Sequence, residues 1–290
     1  MKIRALMPFL LTISGVFNPP ACVAGALPGA SKAQTIEGQF ALQGQEPKTE
    51  AHLKVAPVPG KPLTQQLDFW MTKSGSAAPI TNYQIEMTQP LHMIIVSSDF
   101  KHFYHEHPKL TRTGHMLLTQ AFSAPGSYLV YTDALPNNLN HQVFRFTVNV
   151  DSAASGPRVL QPTGMAVKAG PYEVDISSVR LHAGTMSMLD VVILKDGKPA
   201  TDLHPYLGVP AHAVFLNAQD LSYVHVHPMT MEQMDSMDMT KEPPPLPEAG
   251  PSPSEMMLHI SLKQTGNYKM WLQFRGGQQL YVAEFTVNSI

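Results

Sequence analysis

The sequence predicts an all-β protein made of two tandem antiparallel β-sandwich domains, of the immunoglobulin-like or cupredoxin-like kind. An internal repeat covers most of the chain, and its copies are as long as whole domains. Most segments alternate or run apolar for a few residues between Gly, Pro, Asn or Asp, as strands do. No long segment has helical periodicity. The clearest predicted strands are Gln142–Val150, Leu189–Leu194, Met257–Leu262 and Leu280–Val287.

The repeat is clearest in two segments that align without gaps. Residues 91–108 read LHMIIVSSDFKHFYHEHP, and residues 211–228 read AHAVFLNAQDLSYVHVHP. A second pair of matching segments follows. Residues 126–131 of the first copy read GSYLVY, and residues 266–271 of the second copy read GNYKMW. The offset between the copies grows from 120 to 140 residues, so the second copy carries an insertion.

These landmarks divide the chain into predicted parts. They are a signal peptide at 1–26, a linker at 27–35, a first sandwich at 36–150, a linker at 151–158, and a second sandwich at 159–290 with a Met- and Pro-rich insertion at 229–256.

The N-terminus has the pattern of a secretory signal. Lys2 and Arg4 precede an apolar stretch that is too short to span a bilayer, and Ala24–Ala26 offers a small-x-small cleavage site. The sequence therefore predicts a periplasmic or secreted protein with no membrane span after cleavage. Cleavage also removes Cys22, the only cysteine.

Composition excludes several functions. Charged residues make up 14% of the chain and the net charge is −2, so a basic surface for nucleic acid is not expected. Without cysteine the mature chain has no disulfide, iron–sulfur cluster, zinc-thiolate site or blue-copper centre. The 13 His and 17 Met are the candidate ligands for a metal ion.

Both copies contain the spacing His-x12-His-x-His-Pro. If the hairpin turns lie at 97–100 and 217–220, paired residue numbers sum to 197 and 437, so His92 faces His105 and His212 faces His225. The third histidine lies two residues further on the same face. Each hairpin is thus predicted to bind one transition-metal ion through three imidazoles. The predicted ligands are His92, His105 and His107 in the first copy, and His212, His225 and His227 in the second.

A structural role is the alternative for these histidines. Their face also carries Ile94, Val96, Val214 and Leu216, which look like core positions, and a buried neutral histidine commonly bonds to backbone. Five further histidines are isolated in sequence and are interpreted as surface residues rather than ligands: His115, His141, His182, His204 and His259.

The segment 229–239, MTMEQMDSMDM, is the second candidate for metal handling. Thioether sulfur favours Cu(I) and, unlike thiolate, forms no disulfide in an oxidising compartment. The alternatives are an apolar lid and a low-complexity linker. The candidate ligands are Met229, Met231, Met234, Met237 and Met239.

The second copy resembles a recurring bacterial exported module. The resemblance rests on DGKPATDL at 196–203, YLG at 206–208, His212, HVHP at 225–228 and GNYKMWLQF at 266–274. This pattern is similar to YtkA-like and FixH-like immunoglobulin-type domains. The resemblance implies a sandwich fold and an association with copper or heavy-metal handling.

Three functions therefore stay open. The leading hypothesis is a periplasmic protein that binds copper, or zinc, as a chaperone, buffer or resistance factor. The runner-up is a non-catalytic module that docks on a membrane transporter or assembly factor, with structural histidines. The third is a cupin-like metalloenzyme, because Glu232 completes a His-x-His-x4-Glu spacing, although the expected glycine is Gln219.

Overall fold

The computed structural model describes residues 33–151, 156–230, 232–233 and 244–290. Strands dominate these residues and form four sheets, which confirms the predicted all-β, antiparallel sandwich architecture. Within the described ranges, none of the helices reaches the length and apolar character that a membrane crossing requires.

Ten strands form the first pair of sheets. They are β1 (Gln34–Glu37), β2 (Gln39–Phe40), β3 (Thr49–Pro57), β4 (Thr64–Lys73), β5 (His92–Ser97), β6 (Phe103–Glu106), β7 (Lys109–Leu110), β8 (Met116–Ala121), β9 (Gly126–Ala134) and β10 (Gln142–Val150). The sheet orders are β1-β3-β4-β8-β7 and β2-β10-β9-β5-β6.

The second pair of sheets contains the remaining strands. They are β11 (Ala166–Ala169), β12 (Tyr172–Ile176), β13 (Arg180–Leu181), β14 (Met186–Lys195), β15 (Lys198–Pro199), β16 (Leu203–His204), β17 (Ala211–Asn217), β18 (Tyr223–Val226), β19 (Glu255–Ser261), β20 (Gly266–Gly276) and β21 (Gln279–Ser289). The orders are β11-β12-β14-β15, with β19 also paired to β14, and β13-β21-β20-β17-β18, with β16 also paired to β20. The short β13–β21 pairing is parallel.

Each pair of sheets encloses its own apolar core. In the first sandwich, Met93 and Ile95 of β5 point inward and pack with side chains of the opposite sheet. In the second, Ala213 and Phe215 of β17 do the same. Alternate residues of a strand point to opposite faces, so the histidine-bearing face of each hairpin is the outer face of its sandwich.

These two outer faces pack against each other. Ile94 and Val96 of the first sandwich join Val214 and Leu216 of the second in a third apolar cluster, in which all four are fully buried. These residues are therefore core residues, as predicted, and the core to which they belong lies between the sandwiches. They are buried because a second sandwich covers them.

The ring contacts across this interface are related by an approximate two-fold symmetry. Tyr131 stacks on Tyr223 with ring centroids 4.9 Å apart, and Phe103 stacks on Trp271 at 5.1 Å. The repeat offsets of 120 and 140 convert the first pair into the second. The two halves of the chain thus meet through the same surface, as the subunits of a symmetric dimer do.

Arg158 links the two sandwiches by hydrogen bonds to both hairpin turns. Its guanidinium donates hydrogen bonds to the carbonyl oxygens of Ser98, at 3.0 Å, and Ala218, at 2.7 Å, which are equivalent residues of the two turns. It also lies over the Phe100 ring, 4.5 Å from the centroid. One side chain between the sandwiches therefore holds both turns.

The predicted hairpin register was wrong. His105 lies opposite Ile94 and His225 opposite Val214, so paired numbers sum to 199 and 439. The turns begin one residue later than predicted because Ser97 and Asn217 end their strands and cap the loops. The Asn217 side-chain oxygen, for example, accepts hydrogen bonds from two loop amides. Since the pairing shifts by two residues, the side chains stay on the predicted face.

The variant Trp271→Ala tests how much the interface between the sandwiches contributes to stability. Replacing this fully buried side chain by Ala should lower the free energy of unfolding by about 3–5 kcal/mol, because it removes a stack and leaves a cavity between the sandwiches. Denaturant unfolding with an apo-protein measures the change.

Trp70→Ala is the matched control. Trp70 is only partly buried and stacks between His52 and His115, away from the interface. Its loss should cost about 1 kcal/mol. Equal losses for the two variants would mean that the interface adds no stability of its own.

Candidate metal centre

The structure brings all six histidines of the two hairpins into one cluster. His92 begins β5 and His212 lies near the start of β17, while the other four are in or directly after β6 and β18. Each set of three forms a triad at the end of its hairpin away from the turn. The first triad is His92, His105 and His107, and the second triad is His212, His225 and His227.

The first triad is a triangle of ring nitrogens. His92 Nδ1, His105 Nε2 and His107 Nε2 lie 3.2 Å from one another along all three sides. In a tetrahedral site with metal–nitrogen bonds of about 2.0 Å, neighbouring nitrogens are about 3.3 Å apart. The triangle therefore has the size of one face of such a site.

Hydrogen bonds to the outer nitrogens fix the tautomers of two of these rings. His92 Nε2 lies 3.1 Å from the carbonyl oxygen of Glu86, and His105 Nδ1 lies 3.0 Å from the side-chain oxygen of Gln273. Each must donate its hydrogen there, so His92 Nδ1 and His105 Nε2 present lone pairs to each other. His107 Nε2 can donate a hydrogen to only one of them. A cation at the centre would satisfy all three nitrogens.

The second triad repeats part of this arrangement. His212 Nε2 donates to the carbonyl oxygen of Tyr206 at 3.0 Å, which leaves its Nδ1 as a lone pair 3.4 Å from His225 Nε2. His227 Nε2 is buried without a hydrogen-bond partner among the described residues. A buried polar atom without a partner is costly, so this nitrogen also fits a ligand role.

The triads are in contact with each other. The ring centroids of His105 and His212 are 4.7 Å apart, and those of His92 and His225 are 5.2 Å apart. One ligand atom from each of these four rings lies within 4.8 Å of the other three. The two predicted sets of three histidines thus lie against each other, and their six imidazoles form one cluster.

Burial keeps the six rings neutral. Desolvation is the main cause that lowers the pKa of every one of them, and in most of them the neighbouring imidazoles lower it further. The pKa values of His107 and His227 fall to about 3. A neutral imidazole is the form that binds a metal ion, so the cluster needs no deprotonation at neutral pH.

One acidic residue beside the cluster breaks its symmetry. Asp133 is opposite His92 on β9, and Gln273 is opposite His212 on β20, at equivalent positions of the repeat. The Asp133 charge acts to raise the pKa of His92 and of His227, one ring in each triad. Asp133 therefore favours a cation at either triad, and the positive charge of His141, which acts on the same two rings, opposes this effect.

Asp133 also anchors His141, which sequence reasoning assigned to the surface. His141 lies 3.0 Å from Asp133 and 3.1 Å from Glu86 through its two ring nitrogens. These carboxylates raise the pKa of His141 to about 10, so the ring is protonated at neutral pH. Aligning 126–134 with 266–274 would have indicated Asp133, because Gln273 is its partner in the repeat.

A cleft between the sandwiches leads to this region. Its volume is about 300 Å³, and Asp133, His141 and His225 are among the residues that line it, together with Tyr223 and Lys263. The cleft brings solvent to one ring of the second triad and to the acidic residue beside it.

The methionine candidates fall mostly outside the described residues. Met231, Met234, Met237 and Met239 lie there. Met229 is buried, and its backbone exchanges two hydrogen bonds with Met257 of β19. Because His227 is only two residues before Met229, the segment starts beside the second triad.

Comparison with known proteins identifies the family of this chain but assigns no activity to it. The family profile matches residues 46–152 and 166–289, so it covers both sandwiches. The chain belongs to a family of domains of unknown function (DUF8832). No curated protein matches the chain.

The lowered pKa values predict acid instability of the metal-free protein. The unfolded chain takes up protons on these histidines near pH 6.5, whereas the folded chain does so only at much lower pH. The contribution of these histidines to the free energy of unfolding is therefore complete above about pH 6.5 and is lost as the pH falls. Because the unfolded chain protonates His107 and His227 and the folded chain does not, these two residues alone should lower the free energy of unfolding by about 2.5 kcal/mol when the pH falls from 7.5 to 5.5.

Denaturant unfolding in the presence of a chelator at these two pH values measures this loss. The double variant His107→Gln/His227→Gln should be less sensitive to pH than the wild type by about the same 2.5 kcal/mol. A wild-type free energy of unfolding that is the same at both pH values would contradict the burial of neutral rings.

Proposed function

We propose that this protein is exported and binds copper in the six-histidine cluster, as a chaperone, buffer or resistance factor. The protein itself contributes neutral imidazole ligands, holds their lone pairs inward through outer hydrogen bonds, and shields the ion by packing two sandwiches around it. The bound ion would be the cargo rather than a reagent.

The convergence of lone pairs is the observation that carries the proposal. His92 Nδ1 and His105 Nε2 lie 3.2 Å apart, and both have their hydrogens committed to other acceptors. Purely structural histidines would instead be expected to alternate donors with acceptors. His212 likewise has its outer nitrogen committed to the Tyr206 carbonyl oxygen, which argues against chance and against the docking module as the main function.

Copper is favoured by the kinds of ligand in the chain. Imidazole suits copper and zinc, and copper(II) binds more tightly than zinc at a given nitrogen site. The methionine segment that follows His227 adds thioethers, which favour Cu(I) over zinc. The similarity of the second copy to modules associated with copper handling supports the same choice.

Export is proposed from residues 1–26, which lie outside the described residues. The charged start, the apolar stretch and the small residues before Leu27 are the support. A periplasmic location also agrees with a ligand set of His and Met without cysteine, since neither forms disulfides.

Copper content tests the assignment. Protein purified from the periplasm, with an N-terminus near Leu27, should contain copper by elemental analysis. His105→Gln/His225→Gln removes one ligand from each triad and should weaken copper binding at least tenfold, about 1.4 kcal/mol, in a competition with a chelator.

His182→Gln is the matched control, because His182 is exposed and outside the cluster. It should bind copper as the wild type does. If the double variant bound copper as tightly as the wild type, the cluster would not be the copper site. If the purified protein contained zinc instead of copper, the choice of metal would be wrong.

The methionine segment has its own test. Replacing Met229, Met231, Met234, Met237 and Met239 by Ile keeps the segment apolar and removes its sulfur atoms. Cu(I) affinity should then drop at least tenfold, about 1.4 kcal/mol, while Cu(II) affinity should barely change. Equal losses for both ions would show that the segment only covers the site, and no loss would make it a linker.

A further inference from the structure

The cluster contains more ligands than one copper ion uses. Copper and zinc sites in proteins commonly take about three or four strong ligands. Six neutral imidazoles meet here, all of them within reach of a neighbouring ring. The number of ions is therefore a separate question from the identity of the metal.

We infer that the cluster is a two-ion centre, in which each triad holds one ion and the two ions lie side by side across the interface between the sandwiches. This inference rests on the proposed metal-binding function, and it adds that the ions of the two hairpins are close neighbours in one centre.

The first triad is complete within its own hairpin. The first triad has three equal nitrogen–nitrogen distances of 3.2 Å, so an ion placed there already has three ligands. In the second triad, His212 Nδ1 and His225 Nε2 are 3.4 Å apart and use the equivalent atoms. The internal repeat therefore places the same three histidines at the end of each hairpin, although His227 Nε2 has no hydrogen-bond partner among the described residues.

A single ion between the sandwiches accounts for the cluster less well. The ion could be bound by His92, His105, His212 and His225, whose ligand atoms are mutually close. His107 would then be left 3.2 Å from two ligand nitrogens without binding anything. His227 Nε2 would stay buried without a partner, which carries a free-energy penalty that a second ion removes.

The distances between the triads place two ions close together. Ring centroids across the interface are 4.7–5.2 Å apart for His105–His212, His92–His225 and His105–His225, which is similar to the spacing inside each triad. Proteins with two-metal sites hold the ions about 3.5–4 Å apart. Asp133 and Glu86 place two negative charges beside the cluster against the single positive charge of His141, and this net negative charge reduces the repulsion between two cations.

Copper stoichiometry and electron paramagnetic resonance test the inference. Full-length mature protein loaded with Cu(II) should contain about two copper ions per chain, and their resonance should show the broadening and the half-field transition of closely spaced Cu(II) ions. His107→Gln should disable the first triad, and His227→Gln the second. Each variant should contain about one copper ion, with the spectrum of an isolated Cu(II).

The possible outcomes separate this inference from the proposed function. Wild-type protein that binds no copper would refute the function itself. About one ion per chain in the wild type, unchanged in both variants, would establish a single-ion site and overturn the inference. Two ions with isolated spectra would also overturn it, because the ions would then be far apart. His182→Gln, with an exposed side chain outside the cluster, should reproduce the wild-type result.

Discussion

The packing of two outer sheet faces against each other is the interaction on which the centre depends. Ile94, Val96, Val214 and Leu216 lie on surfaces that a single sandwich would expose to water, and pairing the surfaces buries all of them. The histidines share these faces, so the same apolar contact that joins the sandwiches removes water from the imidazoles. That desolvation keeps the rings neutral, which is the state in which they bind a metal ion.

Much of the fold could be predicted because β-structure leaves a local signal. The predicted strand Gln142–Val150 coincides with β10, since alternation and the flanking turn residues define both ends. The hairpin register could not be predicted, because it depends on which residue caps the turn. The sequence pattern predicts Ser97 as the first loop residue, whereas Ser97 ends β5 and its hydroxyl accepts hydrogen bonds from loop amides.

The face of each hairpin that carries the histidines could be predicted despite the error in register. The contact between the two triads could not be predicted. Period-two alternation keeps His105 and His107 on one face in any register that shifts by two residues. The rotation between the copies, however, is set by contacts far apart in sequence, such as Phe103 with Trp271. One signal was present in the sequence: residues 92–97 and 211–217 are almost entirely apolar apart from histidine, so both of their faces had to be covered.

Asp133 and Gln273 occupy equivalent positions of the repeat, so the two halves of the centre differ in charge although their packing is symmetric. In a homodimer, every residue of a two-fold interface occurs twice, so a charge introduced on one side appears on the other as well. Here both halves belong to one polypeptide, and each position is encoded separately. Covalent fusion therefore lets one half carry a carboxylate and the other an amide. Two chemically distinct sides can arise by single substitutions while the symmetric packing that holds them stays intact.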